Sequence, residues 1–379
     1  MPATPNPRPT SSILDSIDLA EQFRSGASSA AFGTSLTLGP GAMAGIEGIS
    51  VGHATSGDTG VTVIAAPGGA VAAVDVRGGG PGTRETDLLA PENTVERAHA
   101  IVLSGGSAFG LATADGVMRE LAERGIGFEV TPARPDVIVP IVPGAVIFDL
   151  LLGEPTIPSA ELGRRALNSA LDDAPDGPVS SAPSGSVGAG TAAMAGAIKG
   201  GFGQARVAAG DDGYWVAALM VVNSFGAVID SSGRAYGLPA LPPVSEASLA
   251  ALDKVFVGRT KVLAEPGPGG AASASVRNTT IGCLMTNAPL TTAQLKRVAM
   301  CGHDGLARAV RPAHAPMDGD TLFALSTAGL GADAGSTSVG AETVALLTAM
   351  AADAVQFAIV DAITSATSRG GVPALRDLI

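Results

Sequence analysis

The chain has 379 residues, 51 of them Gly, with 3% aromatics and a formal net charge of −12. That charge argues against nucleic acid and anionic membrane surfaces as partners. Two cysteines, Cys283 and Cys301, are too few for a disulfide framework and show neither CxxC nor Cys/His metal spacing.

Residues 1–40 are rich in Pro, Ser, Thr and Gly, with a short helical hint at Ser12–Arg24, and read as a loosely ordered extension. The start lacks the apolar stretch of a signal peptide, so a cytoplasmic protein is expected. Val61–Ala66 and Ala70–Val76 are apolar runs split by Pro67-Gly68-Gly69, which predicts a hairpin. A Gly-rich loop, Gly78–Gly82, follows. Ala98–Leu103 reads as a strand entering Ser104-Gly105-Gly106-Ser107, with a helix over Ala108–Arg124. Asp172–Gly185 is a polar loop, and Gly188–Gly201 is Gly/Ala-rich and carries Lys199. Tyr214–Val222 is an apolar strand ending at Asn223. Leu238–Arg277 has no strong period and reads as an exposed linker with one helix at Ser245–Val255. Thr280–Thr286 is the next strand. Thr291 and Gln294 form a capping box that opens a helix to about Val310. Asp320–Thr327 is a strand, and a long helix follows with Val344, Leu347, Ala351, Ala354, Ala358 and Ala362 on one face. Val344–Ile363 comes nearest to a membrane span but is interrupted by Asp353, Gln356 and Asp361. Small residues allow close backbone approach, so these elements predict a layered α/β protein.

Chemistry concentrates late in the chain. If Thr279 became an N-terminus, its hydroxyl could attack while its own α-amine, with an ordinary pKa of about 7.7–8, took the proton. Met317-Asp318-Gly319-Asp320 places two carboxylates at i and i+2, on one side of an extended segment. Asp320 directly precedes an apolar strand and needs a hydrogen-bonding partner there. None of His53, His99, His303 and His314 lies in a metal-ligand pattern; His314 is the one nearest the acidic pair. Neither a metal nor a cofactor is expected. Gly78–Gly82 could cradle a phosphate, but it lacks the Lys-Ser/Thr ending of a P-loop.

Asn278-Thr279-Thr280-Ile281, His303-Asp304-Gly305-Leu306 and Met317–Phe323 together resemble the DmpA-like family of self-processing peptidases. The likeness extends to Val74–Gly79, Leu103–Leu111, Pro140–Asp149 and Val221–Asn223. It implies a four-layer αββα sandwich of the N-terminal-nucleophile hydrolase kind. It also implies one catalytic domain cut between Asn278 and Thr279 into residues 41–278, whose segment 238–278 is the exposed linker, and residues 279–379. By the same resemblance Thr279 is nucleophile and base, and Asn223 donates to the oxyanion or holds the nucleophile. Lys199 lies close to the Thr279 hydroxyl, Asp318 and Asp320 orient its amine and hydroxyl, and Gly105, Gly106 and Ser107 line the pocket. Where the aminopeptidase branch carries an acid and a Tyr, this chain has Val146 and Phe148, which favours small amide, peptide or ester substrates without a charged amine beside the scissile bond. Relatives assemble cleaved units, so a homotetramer is implied. Two other readings are an acyltransferase of the ornithine-acetyltransferase kind and a small-molecule-binding α/β module using Gly78–Gly82.

Overall fold

The computed structural model describes residues 12–172, 182–210, 213–264, 278–328 and 339–379. In chain order these contain α1 (Leu19–Gly26), β1 (Ser35–Leu38), β2 (Ser50–Ser56), β3 (Thr59–Val76), β4 (Thr83–Arg84) and β5 (Arg97–Ser104). Then come α2 (Thr113–Glu123), β6 (Phe128–Glu129), β7 (Ile138–Val139), β8 (Gly144–Val146), α3 (Ala160–Leu171), β9 (Met194–Ala195), β10 (Ile198–Lys199), β11 (Phe202–Ala208) and β12 (Trp215–Asn223). The last elements are α4 (Glu246–Val255), β13 (Thr279–Thr286), α5 (Thr292–Ala309), β14 (Thr321–Ser326) and α6 (Ala341–Ser365).

Alternation along the central strands sorts their side chains into separate cores. On β12, Val216, Ala218, Met220 and Val222 join Leu284, Leu322, Ala324 and the apolar faces of α5 and α6. Ala217, Leu219 and Val221 point the other way, into a second core with Ile281, Cys283, Phe323, Ile64, Ile101 and Leu103. The third core packs Val61, Val63, Ala100 and Val102 against α2 and α3, through Val117, Leu121, Leu162 and Leu167. Helices, sheet, sheet and helices are therefore stacked as a four-layer αββα sandwich, as expected. The ladder runs β1-β11-β12-β13-β14-β3-β5-β8-β4, with β2 also paired to β3.

The hairpin expected at Pro67-Gly68-Gly69 does not form. β3 is a single 18-residue strand. Its first part pairs with β2 and β5, and its last part pairs with β14. The register against β5 shifts between Ala65 and Ala70, and Gly69 sits at φ 72°. The turn-forming residues make a bulge instead, because both arms find partner strands and one strand can then serve both sheets.

Two further expectations change. Of the extension read over 1–40, residues 12–40 carry α1 and β1; β1 pairs with β11, and Phe23 is 2% exposed within the core. Asp353 of α6 fixes this segment by accepting from the Ser28 and Ser29 amides at 3.1 and 2.7 Å and the Ser29 hydroxyl at 2.7 Å. Likewise, residues 238–264 are not an exposed linker: Leu238, Leu241, Val244 and Leu252 are buried, and α4 is capped by Ser245. Residues 265–277 of that stretch, and 173–181 of the earlier polar loop, lie outside the described residues.

By length and composition α6 could cross a membrane. Here it is a core helix: its residues from Met350 to Val355 and from Phe357 to Thr364 are all buried against α5, β11 and β12.

Candidate active site

β12 and β13 run antiparallel, with Asn223 directly opposite Thr279 and Val222 opposite Thr280. Side chains of such a pair share one face of the sheet, with Cβ atoms about 4.5–5.5 Å apart. β14 lies parallel on the other side of β13, and just before it Asn278 bridges to Asp318. The Asn278 amide donates to the Met317 carbonyl at 3.1 Å, and the Gly319 amide donates to the Asn278 carbonyl at 2.9 Å. Thr279 Oγ1 also contacts the Asn278 carbonyl oxygen. The carbonyl of the Asn278–Thr279 bond is thus held between a backbone donor and the Thr279 hydroxyl. A Cβ on residue 319 would come within 2.8 Å of Thr279 Oγ1, so glycine is needed for this approach. Asn278 and Thr279 are 0% and 4% exposed. The bond lies inside the protein, and not at the open end of a linker.

The two aspartates are anchored rather than free. Asp318 accepts from the Phe225 amide at 3.1 Å and the Ala315 amide at 3.0 Å. Burial, then the charge of Asp320, push its carboxyl up to about 6. Asp320 accepts from the Thr280 amide at 2.7 Å, and its second oxygen takes the His314 amide at 3.0 Å and His314 Nδ1 at 2.8 Å. His314 is therefore the partner of the acidic pair, at φ 56°. Among the described residues no hydrogen bond joins either carboxylate to Thr279 itself. The Gly78–Gly82 loop packs on this turn: a Cβ on Gly78 would lie 2.3 Å from the Asp318 carbonyl oxygen, and the Gly80 amide donates to that oxygen at 2.7 Å. Its glycines serve close packing against the acidic turn, which removes the observation behind a phosphate cradle.

Lys199 is fully buried and gives its three protons to the carbonyls of Gly190, Ala193 and Gly200 at 3.2, 2.8 and 3.0 Å. Burial lowers its ammonium to about 7. Among the described residues it makes no hydrogen bond to Thr279; it ties the segment just before β9 to Gly200, between β10 and β11. Asn223 is held by the fold: its Oδ1 accepts from the Met194 amide at 3.0 Å, and its Nδ2 donates one proton to the Phe148 carbonyl at 3.1 Å. Phe148 thus reaches the site through its backbone. Val146, on β8 opposite Ser104, lines a small pocket with Arg84, Gly110 and Leu111.

The Gly105–Ser107 turn is shaped by Asp149, to which sequence reading gave no role. Its carboxylate accepts from the Gly106 amide at 2.6 Å and the Thr59 hydroxyl at 2.8 Å. Gly106 and Ser107 adopt φ 83° and 54°. Lys261 was missed altogether, because it lies in the stretch read as linker. It is 6% exposed and donates to Asn223 Oδ1 at 2.8 Å and to the Asn223 carbonyl at 3.1 Å. Lys261, between Arg259-Thr260 and Val262-Leu263, belongs to no motif, so no local signal could have found it.

The strand that begins at Thr279 is thus flanked by the Asn223 side chain and by two carboxylates. The model of peptidase family S58 matches residues 42–374. The chain belongs to this peptidase family. It is 43% identical over 346 residues to an uncharacterized aminopeptidase of Mycobacterium leprae, covering 86% of this chain and 91% of that protein. It is 31% identical over 291 residues to a 6-aminohexanoate-oligomer endohydrolase of Agromyces sp., covering 74% of this chain and 73% of that protein. Among solved structures, the L-aminopeptidase D-Ala-esterase/amidase of Ochrobactrum anthropi, described as a variant of the Ntn hydrolase fold, superposes with a TM-score of 0.66 at 22% identity. That match covers 89% of this chain and 90% of the other. The S58 chain described here is accordingly a hydrolase, a peptidase or amidohydrolase with the Ntn hydrolase fold. The non-enzymatic reading is set aside.

Proposed function

We propose that this enzyme is a self-processing N-terminal-threonine amidohydrolase, cut between Asn278 and Thr279, acting on small peptide, amide or ester substrates. The observation that carries this reading is the geometry of the Asn278 carbonyl, gripped by the Gly319 amide and approached by the Thr279 hydroxyl. Burial of the bond supports cleavage from within, since an outside protease has no access to it.

In the proposed maturation, Thr279 Oγ1 attacks the Asn278 carbonyl carbon. The Gly319 amide stabilises the oxyanion. The C–N bond breaks, nitrogen takes the hydroxyl's proton, and an ester joins Asn278 to Thr279 Oγ1. Water then hydrolyses the ester, leaving the Asn278 carboxylate and a free Thr279 amine. In turnover that amine accepts the Oγ1 proton as Oγ1 attacks the substrate carbonyl, and it returns the proton to the leaving group. Asn223, opposite Thr279, is the donor to the substrate oxyanion. Asp320, already bound to the Thr280 amide, lies one residue from the new ammonium and stabilises its charge. Lys199, lowered towards neutrality by burial, adds positive potential to the same end of β12.

Specificity follows from the pocket walls. Val146 is apolar, and Asp149 holds the Gly106 amide and the Thr59 hydroxyl, so neither reads a substrate amine in this arrangement. The relatives' names span an aminopeptidase and an oligomer endohydrolase; the apolar wall favours the second kind of substrate. We also propose a cytoplasmic enzyme that assembles four cleaved units. The β6–β7 hairpin supports assembly, with Phe128, Val130, Val137 and Val139 at 50%, 51%, 37% and 41% exposure.

The test is hydrolysis of small p-nitrophenyl esters and p-nitroanilides by the wild type, Thr279→Ser and Thr279→Ala. Serine supplies an equivalent nucleophile and should retain measurable activity. Alanine should lose about 10³-fold or more in kcat. Activity surviving in Thr279→Ala would refute the assignment.

A further inference from the structure

Lys261 is almost fully buried, and among the described residues no carboxylate is in hydrogen-bond contact with it. Its Nζ donates to Asn223 Oδ1 at 2.8 Å and to the Asn223 carbonyl at 3.1 Å. A buried lysine is costly unless it serves a partner. The local chain holds it in place: the Lys261 amide donates to the Phe225 carbonyl at 3.1 Å, and the Arg259 carbonyl accepts from the Ala197 amide at 2.9 Å. Arg259 itself donates to the Asp230 carbonyl at 2.6 Å.

An ammonium can only donate, and so can the Met194 amide. Both point at the same atom of Asn223, which must therefore be the side-chain oxygen. The NH₂ group is left to face Phe148, and Asn223 itself lies opposite Thr279 on the neighbouring strand. One of its two protons goes to the Phe148 carbonyl, and the other remains for an oxyanion. If the carboxamide were reversed, it would present an oxygen to the developing negative charge and repel it.

We propose that Lys261 is a positioning residue that fixes the polarity of the Asn223 carboxamide, so that its NH₂ group meets the oxyanion at Thr279. The proposal rests on the Thr279 reading. Lys261 and Asn223 both lie upstream of Asn278, so cleavage leaves their contact within one piece. The charged groups nearest this contact, Asp318, Lys199 and Asp149, act on it through space. Burial and Lys199 favour the neutral amine while Asp318 and Asp149 favour the ammonium, and in either form Nζ can donate to Asn223, so the direct hydrogen bonds set the geometry.

The test is a double-mutant cycle on four proteins: wild type, Lys261→Met, Asn223→Ala and the double variant. Each is assayed on the fastest of the small esters or anilides, with folding checked by circular dichroism. If Lys261 acts through Asn223, Lys261→Met lowers kcat by about 10- to 100-fold, less than or equal to the loss of a whole oxyanion donor. KM stays within about twofold, and the same substitution costs nothing further in the Asn223→Ala background. Equal losses in both backgrounds, or a kcat within about threefold of wild type, would overturn the proposal. Lys261→Gln keeps one donor and should fall between wild type and Met; it replaces Met in the cycle if the Met protein does not fold, under the same two criteria. Failure of the parent reading looks different: Thr279→Ala would then hydrolyse the ester at the wild-type rate, whatever Lys261 does.

Discussion

At the scale of single residues, the proposed role of the acidic pair makes a pH response its test. Asp318 is raised to about 6 by burial and by the charge of Asp320. If the ionised pair holds the Thr279 ammonium, activity should fall as pH drops through about 6. Asp320→Asn removes the like charge and lowers the carboxyl value of Asp318. The acid limb of kcat/KM should then move to lower pH, while kcat itself declines because the ammonium loses its nearest anchor. An acid limb that stays in place in Asp320→Asn would disconnect the pair from catalysis. Lys261 gives a second, independent titration. Burial depresses its ammonium from 10.5 to about 7. Between those values the unfolded chain binds the proton and the native chain does not, so this residue makes stability rise with pH over that window. The stability of Lys261→Met relative to wild type should therefore be greatest below pH 7 and shrink towards pH 10, as read by urea midpoints.

At the scale of elements, glycine sets the distance between helix and sheet. A Cβ on Gly203 of β11 would lie 2.1 Å from the Ala358 carbonyl oxygen and 2.3 Å from the Ala362 nitrogen of α6. On the opposite face, a Cβ on Gly52 of β2 would lie 2.2 Å from the Ala166 carbonyl oxygen of α3. These contacts are with backbone and cannot be relieved by a rotamer change. Gly203→Ala should cost about 1–3 kcal/mol, the usual range for overpacking, in a denaturant titration. α6 also carries Asp361, whose carboxyl burial raises to about 6; it accepts from the Gln204 amide at 2.8 Å. From about pH 4 to 6 the native chain keeps this proton and the unfolded chain has released it, so Asp361 lowers stability as pH rises. Asp361→Asn should gain on wild type across that window.

At the scale of the molecule, the sandwich brings Asn223, Thr279 and the acidic turn together from three adjacent strands. Much of this was legible in the sequence. The apolar run Tyr214–Val222, the alternation in Asp320–Thr327, the Thr291–Gln294 capping box and the periodic C-terminal helix each describe local geometry that the tertiary fold preserves. Thr279, Asn223, Asp318 and Asp320 were singled out through the family resemblance, whose blocks are specific in their order and weak singly. The remainder depends on long-range contacts that leave no local mark. Pro67-Gly68-Gly69 is turn chemistry overridden by two partner strands. Asp353 holds the N-terminal segment from more than three hundred residues away. Lys261 gains its meaning only when the chain folds back onto Asn223.

The central claim is that the enzyme cuts itself at one buried bond, and intact-mass analysis of the purified active protein beside Thr279→Ala tests it most directly. The account predicts two chains in the wild type, the second running Thr279–Ile379, and one uncut chain in the variant. A wild type that is active as a single uncut chain, or a Thr279→Ala protein cut at the same bond, would contradict it.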